Sequence, residues 1–270
     1  QGISTAAGRA QALNLRGSFR FLMGDSQAAK EDLQAAIVAQ PENTQSWVKI
    51  ASVHMEQGEP ELAFDAFEEA VKHDPKDPDI YYHRGQVLFI MQKFPEAAEN
   101  YSKSLELDPD FVFSHIQLAV AQYKNNQLSE AKATFRKALK TFPQRSEPNN
   151  YYGELLLDQK QFEEAIEKFD RAIELEKAKA PPINVLAMVN KGLTLFQWKN
   201  DLSGAEAIIV DALAADAECE AAVATLAQIN LQRGEVDRAM ELFKRQVELA
   251  RTENDIMSAY QFMHVRVFFI

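Results

Sequence analysis

Small, alanine and bulky apolar residues return along this chain at one fixed step. A small residue recurs at Gly17, Ala51, Gly85, Ala119 and Gly153, and alanine at Ala29, Ala63, Ala97, Ala131 and Ala165. A bulky apolar column runs Leu33, Phe67, Tyr101, Phe135, Phe169, and all three series keep a spacing of 34 residues. Pro41, Pro75, Pro109 and Pro143 hold the same step. The second unit is the clearest: Trp47, Ile50, Ala51, His54, then Gly58, then Ala63, Phe67, Ala70 and Pro75. This order predicts a helix A, a turn at Gly58 and a helix B that the proline ends. Small residues at the eighth and twentieth positions let the two helices approach, and the large residue at the twenty-fourth fills the space between hairpins.

These columns are the pattern of the tetratricopeptide repeat. They predict an all-α, right-handed solenoid of about seven helix–turn–helix repeats. After the fifth repeat the register slips: Gly153 to Gly192 is 39 residues and Gly192 to Ala227 is 35, after which Gly234, Ala239 and Phe243 restore the spacing. The expected organisation is a tandem array over 1–252, with a linker lengthened near 177–184 around Pro181 and Pro182, and a capping helix or divergent tail over 253–270. A loop tolerated on the solenoid face accounts for the linker, with a functional hinge as the alternative.

In such an array the A helices make most of the concave wall, reached by the second, fifth, ninth and twelfth positions. The expected peptide-binding groove therefore comprises Met55, Asp79, Tyr82, Gln86, Phe89, Ile116, Val120, Tyr123, Glu154, Asp158 and Phe196. Stacking already uses the repeat columns, so this apolar surface suits an amphipathic or extended polypeptide. Its carboxylates favour a ligand carrying lysine and arginine. The competing expectation is that part of the wall is buried against a neighbouring repeat or the C-terminal segment.

Composition narrows the chemistry. With ten glycines and ten prolines in 270 residues, the chain is neither disordered, collagen-like nor turn-dense β. A net charge of −11 argues against nucleic acid and adds long-range attraction for a basic polypeptide. The single thiol, Cys219, forms no internal disulfide and fits a cytosol-exposed chain. Its neighbours Glu218 and Glu220 raise its pKa and remove it as a nucleophile. His54, His73, His83, His115 and His264 lack metal-ligand spacing, and no glycine-rich phosphate loop exists. No enzyme activity, cofactor or metal is expected. No apolar run reaches the length of a membrane helix. A chain that opens on Gln1 reads as a piece of something longer.

Several runs resemble one family. Tyr81-Tyr82-His83-Arg84-Gly85-Gln86, His115-Ile116-Gln117-Leu118-Ala119, Tyr152-Gly153-Glu154-Leu155-Leu156 and Glu248-Leu249-Ala250-Arg251-Thr252 are similar, in order and spacing, to the C-terminal part of the large tetratricopeptide import receptor of the mitochondrial outer-membrane translocase, fungal form. The resemblance implies a preprotein-binding module at the cytosolic face of the mitochondrial outer membrane. Its partners would be targeting or internal signal segments of precursor proteins and other translocase subunits. In that family a separate anchor and a three-repeat clamp for chaperone tails lie upstream. The ninth positions here, Ser18, Ser52, Gln86, Val120 and Glu154, lack the clamp's asparagine, so chaperone-tail binding is expected only outside this chain. The end, Gln261-Phe262-Met263-His264-Val265-Arg266-Val267-Phe268-Phe269-Ile270, departs from the family and is expected to cap the last repeat. A generic scaffold for protein complexes, acting through homodimerisation, is the alternative reading.

Overall fold

A computed structural model describes residues 6–181, 183–250 and Met257. Among them are fourteen α-helices and no strand: α1 (Ala6–Leu22), α2 (Ser26–Ala39), α3 (Thr44–Glu56), α4 (Pro60–His73), α5 (Pro78–Ile90), α6 (Phe94–Leu107), α7 (Val112–Lys124), α8 (Leu128–Thr141), α9 (Glu147–Asp158), α10 (Phe162–Lys177), α11 (Leu186–Lys199), α12 (Leu202–Ala215), α13 (Glu220–Gln232) and α14 (Val236–Leu249). Odd-numbered helices are the A helices and even-numbered ones the B helices of a tetratricopeptide solenoid. The expected capping segment, 253–270, lies outside the described residues except for Met257. Two compact units divide the chain, 1–138 and 139–270.

Local chemistry explains the helix ends. Asp25, Asn43, Asp77 and Asp201 cap the starts of α2, α3, α5 and α12, each side-chain oxygen accepting from a first-turn backbone N–H. Pro41, Pro75, Pro109 and Pro143 stand just beyond the last residues of α2, α4, α6 and α8, where proline stops a helix from continuing. Each A–B turn holds one residue in the left-handed region: Gly24, Gly58, Gln92, Asn126, Lys160, Asn200 and Gly234, with φ between 50° and 81°. Only three of the seven are glycine, so the turn geometry outlasts the residue that suits it best.

In the first unit Leu33, Phe67, Tyr101 and Phe135 are almost wholly buried, beside the fully buried alanines Ala29, Ala63, Ala97 and Ala131. The Tyr101 hydroxyl is buried without a hydrogen-bond partner, and burial pushes its pKa up. Asp32, also buried, ties α1 to α2: Arg16 Nη2 donates to Oδ1 at 2.6 Å and Arg20 Nη1 to Oδ2 at 2.8 Å. The Arg16 hydrogen bond outweighs the opposing burial and holds this carboxyl below its ordinary value.

The second unit repeats the plan with Phe169, Ile209 and Phe243. Its lengthened linker is tied down. Helix α10 runs 16 residues against 14 for the other B helices, which absorbs part of the insertion. The buried Glu176 carboxylate then accepts from Ser146 Oγ, Lys179 Nζ and, at 3.1 Å, the Asn184 backbone N–H. Burial works against ionisation here, but these donors together keep the Glu176 pKa lowered. Beyond them, Ile183 and Val185 rejoin the apolar core around Ile209.

Candidate functional site

In the first unit the A-helix wall is built by α3, α5 and α7. Asp79 joins α5 to α3 by accepting from Gln45 Nε2 at 3.2 Å. Tyr82 sits in an aromatic group, edge-on to Phe111 at 4.9 Å and tilted against Tyr101 at 5.9 Å between ring centroids. One turn on, Gln86 donates to the Tyr82 hydroxyl at 3.2 Å and faces His83 Nδ1 at 2.9 Å. Phe89 packs edge-on against Phe94 at 5.2 Å. Tyr82 and Phe89 thus lean on the cluster of Leu88, Ala97, Tyr101 and Ala121 while staying half-buried. Met55, Val120 and Tyr123 are half-buried as well, Met55 against the core around Ile50 and Phe67, and Tyr123 beneath the Lys124 ammonium at 5.9 Å.

Ile116 is corrected. It is fully buried and lines no open face. Its column explains why: Val48 and Val189, the fifth-position residues of the second and sixth repeats, are buried too, and Asn150 nearly so. The fifth position turns toward the adjoining repeat; Tyr82 keeps an exposed edge, as does Ala224 in the seventh repeat.

In the second unit α9 and α11 present a linked polar group. Glu154 Oε1 accepts from Asn150 Nδ2 and from Asn190 Nδ2, both at 2.8 Å, and Asn190 Nδ2 also reaches Asn150 Oδ1 at 3.0 Å. No ion pair among the described residues reaches Glu154. Burial raises its pKa, and the two carboxamide donors offset that only in part. Phe196 is half-buried against the Val189–Ile209 core, and Asp158 is exposed at the end of α9. Asn190 escapes the column reading because the register slip before α11 shifts it by one position relative to Asn150. No composition signal would have found it.

A half-buried carboxylate supported only by neutral amides strains the free protein. Its folded pKa is raised, so the ionised form is penalised above that pKa, and the penalty disappears as pH falls toward the unfolded value. Glu154→Gln keeps both amide contacts without the charge. It is expected to raise the urea midpoint at pH 7, a gain that shrinks on acidification through the carboxylate range.

The remaining chemistry is sparse. Among the described residues no three His, Cys, Asp or Glu side chains converge as a metal shell requires. Burial, more than the nearby Asp216 and Glu220 charges, raises the Cys219 pKa. No helix among the described residues is long and apolar enough to cross a membrane.

Known proteins match along nearly the whole chain. The family model described as the cytochrome c-type biogenesis protein H TPR domain matches residues 30–149, and tetratricopeptide-repeat models match 10–43 and 194–254. The mitochondrial import receptor subunit TOM70 of Homo sapiens is 32% identical over 262 residues, covering 93% of this chain and 42% of the receptor. That of Saccharomyces cerevisiae is 32% identical over 249 residues, covering 91% and 40%. The crystal structure of yeast Tom70 matches with a TM-score of 0.84 at 31% identity, covering 96% of this chain and 54% of that one. A tetratricopeptide repeat protein from Parabacteroides merdae, 16% identical with a TM-score of 0.70, shares the fold alone. The chain spans about two fifths of the length of the curated relatives it matches, in their C-terminal part. It belongs to the tetratricopeptide-repeat proteins and, within them, to the family of the mitochondrial import receptor subunit TOM70.

Proposed function

We propose that this chain is the signal-binding part of a mitochondrial import receptor, holding basic, amphipathic targeting or internal signal segments of precursor proteins against its A helices. The observation that carries this reading is Glu154. It is a half-buried carboxylate with two amides fixing its orientation and no cation of its own. A lysine or arginine from a bound segment would complete it with a charge-assisted hydrogen bond. In the same unit the half-buried Phe196 offers an apolar contact of the kind an amphipathic helix uses. The relatives this chain matches support the receptor role, a place at the mitochondrial outer membrane and association with other translocase subunits; a position at the cytosolic face is part of this proposal. The repeat relatives, and a site without nucleophile or metal shell, support binding rather than catalysis.

The test is fluorescence anisotropy with a labelled basic, amphipathic targeting peptide. Micromolar binding is expected. Glu154→Gln should weaken it about tenfold at pH 7, equivalent to about 1.4 kcal/mol. In the native protein affinity should fall as pH drops and Glu154 takes up its proton, whereas Glu154→Gln should respond less. Phe196→Ala, in the same unit as Glu154, should weaken binding at every pH. Failure to bind targeting and internal signal peptides alike would overturn the reading in favour of a scaffold for protein complexes.

A further inference from the structure

A second surface with the features of a docking site lies on the B helices of the first unit. Between α2, α3 and α4 is a cleft of about 490 Å³ walled by Ile37, Val38, Trp47 and Leu62, with Asp65 and Glu69 among its lining residues. Val38 is 84% exposed and Leu62 45%, unusually open for aliphatic side chains that form one patch.

The repeat supplies an internal comparison. Thirty-four residues on from Val38, and again at each further step, the chain carries Lys72, Glu106, Lys140 and Glu174. From Leu62 the same steps give Glu96, Glu130 and Glu164. Up to the fifth repeat the chain therefore carries charge at both positions beyond this site, whereas the sixth repeat, counted from Ala205 and Ile209, has Gly204 and Ala214 there. Glu69 differs too, since the following repeats place Lys103, Lys137 and Arg171 in its column. An apolar floor and an acidic wall thus replace the mixed charge of the outer faces that follow, up to the fifth repeat.

No lysine or arginine lines the cleft. Lys72 meets Glu69 at 2.5 Å, but the lysine is largely in solvent and Glu69 is 40% exposed, where such a pair is weak and readily exchanged. Lys30 is engaged with Glu59 and Gln57, each at 3.0 Å. The Trp47 indole N–H is satisfied by the Pro41 carbonyl at 2.7 Å, so its ring offers apolar surface without an unmet donor. A ligand must bring its own backbone pairing, because helices present no strand edge to an extended peptide. An amphipathic helix meets that condition and can lower one apolar row between α2 and α4.

We infer that the α2–α3–α4 cleft docks an amphipathic helix of a partner protein, one apolar row seated over Val38, Trp47 and Leu62 and its lysine or arginine residues against Asp65 and Glu69. This surface does not use the A-helix positions of the proposed signal groove, so the protein can hold a signal segment and a helical partner by separate faces.

The test uses the whole chain and a labelled designed helix of about eighteen residues, roughly 27 Å long, with one leucine row flanked by lysine and arginine. Its counterpart carries glutamate at the flanking positions. Val38→Lys combined with Leu62→Glu installs residues that the following repeats already carry at those positions, on exposed surface. The basic helix should protect α2 and α4 amides from hydrogen exchange, bind about tenfold more weakly to the double variant, and outcompete the acidic helix. Unchanged affinity in the double variant would overturn the inference. So would protection confined to the A helices, an outcome that leaves the signal-binding proposal standing. Concentration-dependent protection of α2 and α4 without any peptide would show instead that a second copy of the chain covers the cleft, and would overturn it as well.

Discussion

Phe169→Ala is expected to destabilise the 139–270 unit by about 3–5 kcal/mol. The ring is fully buried and lies over Gly153, where the A and B helices of the fifth hairpin cross. Removing it leaves a void that the small residues Gly153 and Ala165 cannot fill, so the lost transfer energy and the cavity penalty add. Against a total stability of roughly 5–15 kcal/mol for a domain, a loss of this size is a large fraction. Urea unfolding followed by circular dichroism should show a clearly lower midpoint. Each repeat touches only its neighbours, so hydrogen exchange should accelerate first in α9 and α10. Phe162→Ala, at a half-buried ring at the start of α10, should be much milder.

Gly153→Ala approaches the same contact from the other side. A methyl group at Gly153 would stand 2.5 Å from Phe169 Cε1 and 2.8 Å from Cδ1. Alanine in a helix interior gains about 1 kcal/mol over glycine, while overpacking a rigid core costs about 1–3 kcal/mol. Here the obstacle is the edge of a fully buried ring, and the clash wins. A net loss of about 2 kcal/mol is expected, read as a lower urea midpoint. Adding Phe169→Leu should return part of it, because a smaller side chain can yield. Gly17→Ala should cost less, since its nearest neighbour, Leu33 Cγ, stands at 3.0 Å. No change in stability for Gly153→Ala would show that the ring can shift freely.

These two residues also show what the sequence makes legible. Gly153 and Phe169 lie in columns whose side chains must pack at a fixed step, and packing that recurs leaves a periodic mark. The helix pairs, the helix-ending prolines and the buried aromatic column could therefore be read before any coordinates. The groove could be read only in outline. Ile116 shares its column with Tyr82, yet one is sealed and the other half-open, because exposure there depends on side-chain length and on the neighbouring repeat. The Glu154, Asn150 and Asn190 group crosses the register slip, and the Glu176 anchor exists only in the lengthened linker. Features that occur once leave no period to find. Val38 and Leu62 are the converse: they stand out against the charged residues that the repeats following them, through the fifth, carry in their columns.

The left-handed turn residues give the chain a built-in ruler. Gly24, Gly58 and Gly234 have open space where a side chain would project, and Gln92, Asn126, Lys160 and Asn200 already carry exposed side chains there. The turns at Gln92, Asn126, Lys160 and Asn200 thus each offer an exposed position that already carries a side chain, whereas a side chain at Gly24, Gly58 or Gly234 would be strained by the positive φ. Pairs of dyes placed at such positions within either unit would be separated by whole repeats, so stretching or loosening of the array could be counted in repeat lengths.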